Sequence, residues 1–426
     1  MSKRILSVIM VLCLIMAMAP AAFATGEETF DTWDGTSSTT PELVDGKYQI
    51  DSAADLVGFA AMVNSGDYSD ADAVLMTGID LNGGTFTPIG AYAYKDDMSV
   101  LGGAFYSGEF NGNSHTIKNG SISNGSGIYN KGIFGFVNQG GNVHDLNVTN
   151  ITVNGTTSAN EDSTGAVIGL MYKATATNLT ATNCTVNGVH RVGGVIGSVR
   201  DLCTVTNCDN VGTTVTASGM YCGGVIGAAH DMDHNAFTVN GDPATIIDCD
   251  NSGTVNGTTE TGGIVGYTDQ TTITNCDNSG SVTGTGNYGT GGIVGFDAFN
   301  SRSVIGIQIY SPKKGATITE CDNIGAINGP RAGGIVGTLG VTPGQDQPGS
   351  YRVLTKIIRC NNTGDVSGTA DKCGAIFGYQ ITYAHGDGSD YINNLIVRIE
   401  NCTYDCDVNN VAATAPTSST FVEIIN

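Results

Sequence analysis

Carboxylates recur in this chain at a fixed place in a repeated phrase. Asp209, Asp250, Asp277 and Asp322 each follow a cysteine, Asn361 takes that place once more, and Asn210, Asn251, Asn278, Asn323 and Asn362 come next. Residues at one repeat position stack on successive coils roughly 4.8 Å apart, so aligned carboxylates would repel unless water, backbone N–H groups or a cation relieved them. Calcium takes oxygen ligands of this kind, which makes Asp209, Asp250, Asp277 and Asp322 a candidate Ca2+ row. The competing reading needs no ion, because Asp and Asn bond their own backbone at chain corners. A denser set, His230, Asp231, Asp233 and His234, has the side chains of a transition-metal site, although such sets are more often polar loop unless neighbouring groups fix their geometry. His385, Asp387 and Asp390 share a glycine-rich stretch and are the candidates for acid–base work on a polysaccharide, which requires paired carboxylates at a defined separation. No partner set is evident on a neighbouring repeat, so no catalytic residue is assigned and no cofactor is required.

Cysteine and aromatic residues also keep repeat positions. Cys184, Cys208, Cys249, Cys276, Cys321, Cys360 and Cys402 fall in the same phrase, and free Cys behaves as a small buried hydrophobe. An internal thiol stack is expected in preference to disulfides or a metal; Cys402 and Cys406 are spaced for a local bridge or half a metal site, with no His nearby to complete zinc. Tyr267, Phe296 and Tyr379 follow a Gly-rich phrase, and Tyr221 and Tyr288 precede one. Such aromatics either stack on sugar rings or cap the core at a corner. Thr204-x-Thr206, Thr272-x-Thr274 and Thr317-x-Thr319 suggest an outward threonine array like that of ice-binding solenoids, interrupted at Lys356–Ile358 and Arg398–Glu400.

The elements that would hold these groups are set by a repeat. Gly-Gly-[Ile/Val]-[Ile/Val]-Gly starts at Gly193, Gly223, Gly262, Gly291 and Gly333, Ala replaces the second Gly after Gly165 and Gly374, and a worn copy begins at Gly132. It interleaves with Asn-Cys-Asp-Asn-x-Gly. Self-similarity at roughly 30 residues marks a solenoid. In the clearest unit, Gly262–Tyr267, Thr272–Cys276 and Ser281–Thr283 read as three short strands with glycine and Asp277–Gly280 at the corners, one coil of a parallel β-helix. Extra residues are expected between the Gly strand and the Cys strand, at His230–Ala244, Asp297–Gly315, Thr338–Thr355 and Gln380–Asn394. Insertions at one corner of each coil project from one side, the usual binding face of a repeat protein. Upstream, Ser52–Asn64 reads as an amphipathic helix with Ser52 as N-cap, Asp55 in support, and Leu56, Phe59, Ala60 and Val63 on one face. It would cover the first coil's open edge.

Gly263-Ile264-Val265-Gly266 alternating with Thr272–Gly280 resembles the GLUG-motif repeats of bacterial exported proteins, with Ile or Val in place of the motif's Leu. The stretch from Tyr48 to Ile117 resembles the capped first coils that precede such repeats. The resemblance implies a right-handed, single-stranded, pectate-lyase-like parallel β-helix, secreted or on the cell surface, and no shared catalytic residues.

The resulting organisation is a signal peptide over 1–24 (basic Lys3 and Arg4, apolar Ile5–Ala19, cleavage after Ala22-Phe23-Ala24), a polar lead over 25–47, a cap helix and first coils over 48–130, and repeats over 131–426. A net charge of −22 argues against nucleic acid and anionic lipid as partners, and no later stretch is long and apolar enough to span a bilayer. With 61 Gly but only 9 Pro, and 40% apolar residues, the chain is turn-rich rather than disordered. The function these features suggest is a non-catalytic, exported or cell-surface adhesin or scaffold that meets host or environmental glycans or surface proteins. The alternative is a β-helix polysaccharide lyase or glycoside hydrolase.

Overall fold

The computed structural model describes residues 27–91, 93–94, 100–102, 104–122, 129–155, 163–230, 244–299, 315–341, 353–369, 372–380, 395–413, 415–417 and 422–425. The expected signal peptide lies outside them, as do Asp231, Asp233, His234, His385, Asp387 and Asp390.

The chain winds into an all-β, single-stranded parallel β-helix. An eight-stranded parallel sheet carries the Gly phrase. Its strands are Phe134–Val137, Ile168–Tyr172, Ile196–Arg200, Ile226–His230, Val265–Thr268, Val294–Phe299, Val336–Val341 and Phe377–Gln380, which define coils 1 to 8. The Cys-phrase strands, among them Thr204–Val211, Thr245–Ile247, Thr272–Thr274 and Thr317–Thr319, form a second wall. A third wall includes Thr185–Gly188, Thr214–Ala217, Thr254–Gly257 and Val282–Gly284. Parallel crossovers of this kind close with a right-handed sense, the hand the resemblance implies.

Period-two alternation sets what faces inward. In Thr272-Ile273-Thr274 the Ile is buried and both Thr are half-exposed. The residue just before the Cys position turns the corner in the left-handed region: Asn207, Asp248, Asn275, Glu320, Arg359 and Asn401 have φ between 51° and 55°. Asn and Asp tolerate that conformation best. Amides tie it across coils, as in Asn207 Nδ2 to Asn178 Oδ1 at 2.8 Å and Asn275 Nδ2 to Asp248 Oδ1 at 2.6 Å. Where the corner has neither residue, an ion pair replaces the amide bond, Arg359 Nη2 to Glu320 Oε1 at 2.7 Å.

The two repeated phrases are one packing unit. Asn251, Asn278, Asn323 and Asn362 form a buried amide row, each Nδ2 donating to the next Oδ1 at 2.7 Å. The second glycine of each Gly phrase makes room for it. A Cβ on Gly263 would lie 2.4 Å from Asn278 Cγ and 2.0 Å from Gly292 O, and Gly194, Gly224, Gly292 and Gly334 meet Asn210, Asn251, Asn323 and Asn362 in the same way. Where the second glycine is replaced, so is the Asn: coil 2 pairs Ala166 with Ala181 at the Asn position, and coil 8 pairs Ala375 with Tyr404.

The thiol stack needs one correction. Cys208, Cys249, Cys276 and Cys321 do stack, with each N–H of the first three 3.4 Å from the next coil's Sγ, and Cys360 and Cys402 continue the position. Cys184 does not belong to it. The register pairs Leu179 with Cys208, whereas the Cys184 N–H donates to Thr213 Oγ1 at 3.0 Å. Coil 2 has two left-handed asparagines, Asn178 and Asn183, and the second, followed by Cys, imitates the phrase one corner late. All eleven cysteines of the described residues are free thiols. Burial pushes Cys208 and Cys276 well above the usual thiol range and Cys222 up to about 12.

Helix α1, Ala53–Asn64, buries Leu56, Phe59, Ala60 and Val63 over the first coils. Ser52 Oγ accepts the Asp55 N–H at 3.2 Å, and Phe59 packs against Phe110 and Tyr106 with ring centroids 6.2 and 6.0 Å apart. The polar lead contributes more than its composition suggests. Phe30–Thr32 pairs in parallel with Gly78–Asp80, and Glu42–Val44 pairs antiparallel with Lys47–Ile50. The insertions are also shorter than expected, since Asp297–Phe299 still pairs with Leu339–Val341.

A candidate glycan-binding stripe on the Gly-phrase sheet

Two columns of side chains meet on the outer face of the Gly-phrase sheet. The first stands five residues after the opening glycine of each phrase. Its register runs Ser198, Ala228, Tyr267, Phe296, Thr338, Tyr379. The second stands two residues before that glycine, at the corner leading into the strand, and reads Arg191, Tyr221, Glu260, Gly289, Arg331, Lys372. Arg191, Tyr221 and Glu260 hold positive φ there, 51°, 67° and 38°.

Two corner residues lean on the outward residue of the next coil. Tyr221 meets Tyr267 with centroids 4.5 Å apart, and the Arg331 guanidinium sits 4.9 Å from the Tyr379 ring centre. Tyr267 and Phe296 stack face to face, 6.0 Å apart and 4° from parallel, with Tyr288 edge-on to Phe296 at 6.3 Å. Lys372 Nζ lies 5.7 Å from the Tyr379 ring centre. These aromatics form a cluster of their own, Ala228, Tyr267, Phe296 and Ala298 with Tyr221 and Tyr379 against it, separate from the main core. Tyr267 and Phe296 are its buried floor, Tyr221 and Tyr379 are half-buried, and Tyr288 is exposed. Of the two sequence readings, sugar platform or corner cap, the floor fits the cap and the rim fits the platform.

Polar groups in the stripe lack partners. Among the described residues, Glu260 Oε2, Thr338 Oγ1 and Arg331 Nε are buried atoms without a hydrogen bond. Burial pushes the Glu260 carboxyl up to about 7. His230, the described member of the expected His230–His234 ligand set, belongs to this region as well. Its Nε2 is 3.4 Å from Ser198 Oγ, and its ring meets Tyr267 edge-on at 6.1 Å. Sequence reasoning found the aromatics and missed Glu260, Arg331, Lys372 and Thr338. Their fixed offsets from the Gly phrase were the available signal, hidden because the residue types differ from coil to coil.

The Asp row lies at a different corner. Asp209, Asp250, Asp277 and Asp322 edge a groove of ≈ 380 Å³. Each Oδ1 accepts the backbone N–H of the next coil's residue, Asp250, Asp277, Asp322 and Asn361, at 3.0, 3.0, 2.9 and 3.2 Å. Burial raises Asp209 to about 6, and burial followed by the charges of Asp209 and Asp277 raises Asp250 to about 7. The backbone thus supplies one of the reliefs the sequence called for. Among the described residues no group of three or more His, Cys, Asp or Glu is arranged to hold a metal ion. The threonine array is longer than its sequence pattern, because Thr175, Thr204, Thr245, Thr272 and Thr317 stack in one register before Lys356 and Arg398 end it.

The GLUG-motif model matches residues 257–283, the stretch from the end of a third-wall strand through the Gly and Cys phrases. The chain carries the GLUG motif. The chain is also similar to halomucin of Haloquadratum walsbyi, 32% identical over 184 residues, or 40% of this chain. It spans about 2% of that protein's length. Among solved structures, a Bacteroides ovatus protein provisionally described as an immunoglobulin A1 protease aligns with 91% of this chain and 87% of its own, at TM-score 0.41 and 16% identity. The Streptococcus pneumoniae surface protein and adhesin PfbA aligns with 89% of this chain and 97% of its own, at TM-score 0.34 and 10% identity.

Proposed function

We propose that this protein is a non-catalytic surface or secreted β-helix that binds glycan chains along a stripe rimmed by Tyr221, Tyr288 and Tyr379 over a floor of Tyr267 and Phe296. The observation that carries the reading is the alignment of these rings on one face of a stiff rod, beside buried polar atoms with no hydrogen-bond partner among the described residues. Aromatic faces take up the apolar face of a pyranose. Coils repeat roughly every 4.8 Å, so an extended polysaccharide meets several weak contacts at once, and their multiplication supplies avidity.

Titration of the purified chain against a panel of neutral and acidic polysaccharides tests the reading. Binding should be detected, and Tyr288→Ala and Tyr379→Ala should each weaken it by on the order of tenfold, the usual worth of an aromatic contact. An absence of binding to every polysaccharide, or binding indifferent to both substitutions, would refute it.

A further inference from the structure

Resting on the reading of the stripe as a sugar platform, we infer that its Tyr379 end selects an anionic sugar, one carrying a carboxylate or a sulfate. The chain is strongly acidic, 40 Asp and Glu against 18 Lys and Arg. Yet two cations share one column on adjacent coils here, because Gly333 pairs with Gly374 and so sets Arg331 beside Lys372. Both face the Tyr379 ring, at 4.9 and 5.7 Å. Among the described residues neither has a carboxylate partner, although such partners hold several other cations: Arg359 with Glu320, Arg398 with Glu423, Lys47 with Glu109. Arg331 Nε is buried and unbonded.

Two like charges side by side repel, and a buried guanidinium nitrogen without an acceptor costs free energy. An anion between them removes both penalties at once. The column's carboxylate, Glu260, stands two coils away with Gly289 between, so it does not supply that anion. Ring and paired cations form a coherent site for a charged pyranose: Tyr379 takes the ring face, and Arg331 and Lys372 the acidic group. A bidentate guanidinium fits carboxylate and sulfate alike.

The test titrates the full chain with size-matched oligogalacturonate, a sulfated dextran fragment and neutral dextran and galactan, at low and moderate salt. The account predicts that one or both anionic probes bind more tightly than the neutral ones by on the order of tenfold, as charge-assisted contacts would give. The preference should shrink with salt. Comparison of the uronate and sulfate arms identifies the acidic group. Arg331→Gln and Lys372→Gln should abolish the preference while neutral binding persists, and Tyr379→Ala should weaken all probes. Equal binding of neutral and anionic probes would overturn the inference and leave the sugar platform standing. So would an anionic preference that survives both Gln variants, each verified as folded by circular dichroism. Failure of every probe to bind would remove the platform itself.

Discussion

The Gly-phrase wall and the Cys-phrase wall of this solenoid are built from the same coils yet treat their outer faces in opposite ways. On the Cys wall one outward column is uniform over five coils, with Thr175, Thr204, Thr245, Thr272 and Thr317 half-exposed beside buried Ile, Val and Ala. On the Gly wall every residue of Ile196–Arg200 and Ile226–His230 is buried, and the outward column changes from Ser to Ala, Tyr, Phe, Thr and Tyr. Uniform outward residues do only what strand formation asks, since β-branched side chains suit a pleated surface. Varied ones, with cations and unbonded polar atoms among them, are where the proposed glycan site lies.

The comparison breaks hardest where the two walls touch. Gly263→Ala would drive a Cβ into Asn278 and the Gly292 carbonyl. The expected loss is about 3 kcal/mol or more, read as a fall in the urea midpoint. Gly at Ala375, where Tyr404 ends the Asn row, should be tolerated. A Gly263→Ala chain of ordinary stability would show that the two phrases are not one packing unit.

Within the Cys wall, inside and outside should differ. Asn278→Ala removes the acceptor of Asn251 Nδ2 and the donor to Asn323 Oδ1, leaving buried amide groups unpaired at a cost of about 1–3 kcal/mol. Thr272→Ala, on the outer face, should stay within about 0.5 kcal/mol. Equal costs would contradict the assignment of the amide row as the interior tie.

The smallest expected effect separates the Asp row from both walls. Asp209 and Asp250 are raised to about 6 and about 7 by burial first, above the roughly 3.9 of an unfolded Asp. The folded state therefore holds extra protons between about pH 4 and 7, and the row's contribution to stability falls as pH rises through that window. Asp250→Asn keeps the acceptor for the Asp277 N–H and removes one charge, as Asn361 does naturally in its own coil. It should raise stability at pH 8, by less than about 1 kcal/mol once solvent screening is counted, and flatten the decline from pH 5 to 8. Added Ca2+ at pH 8 tests the candidate cation row in the same assay: stabilisation of wild type that is lost in Asp250→Asn supports it, and an identical response of both chains speaks against it.

Much of the scaffold was legible in the residues. The Gly phrase located the strands, Ser52 and Asp55 located the helix start, and Thr-Ile-Thr fixed which side faces in. The meaning of Gly-Gly against Gly-Ala was not, because it depends on an Asn brought in by stacking from elsewhere in the chain. Cys184 misled because one coil has two left-handed corners with the same local sequence. Trp33 and Phe30 sit in a Thr- and Ser-rich lead whose composition conceals that Phe30–Thr32 completes a sheet. The stripe was legible only as scattered aromatics. Its cations and unbonded groups gained a common location through register alone.

The central claim is that the varied outer face of the Gly wall, not the uniform threonine face, binds ligand. Its most direct measurement compares polysaccharide affinity for wild type, a Tyr288→Ala/Tyr379→Ala chain and a Thr272→Ala/Thr317→Ala chain of matched stability. The account predicts binding lost in the tyrosine chain and unchanged in the threonine chain. Retained binding in the tyrosine chain, with loss in the threonine chain, would contradict it.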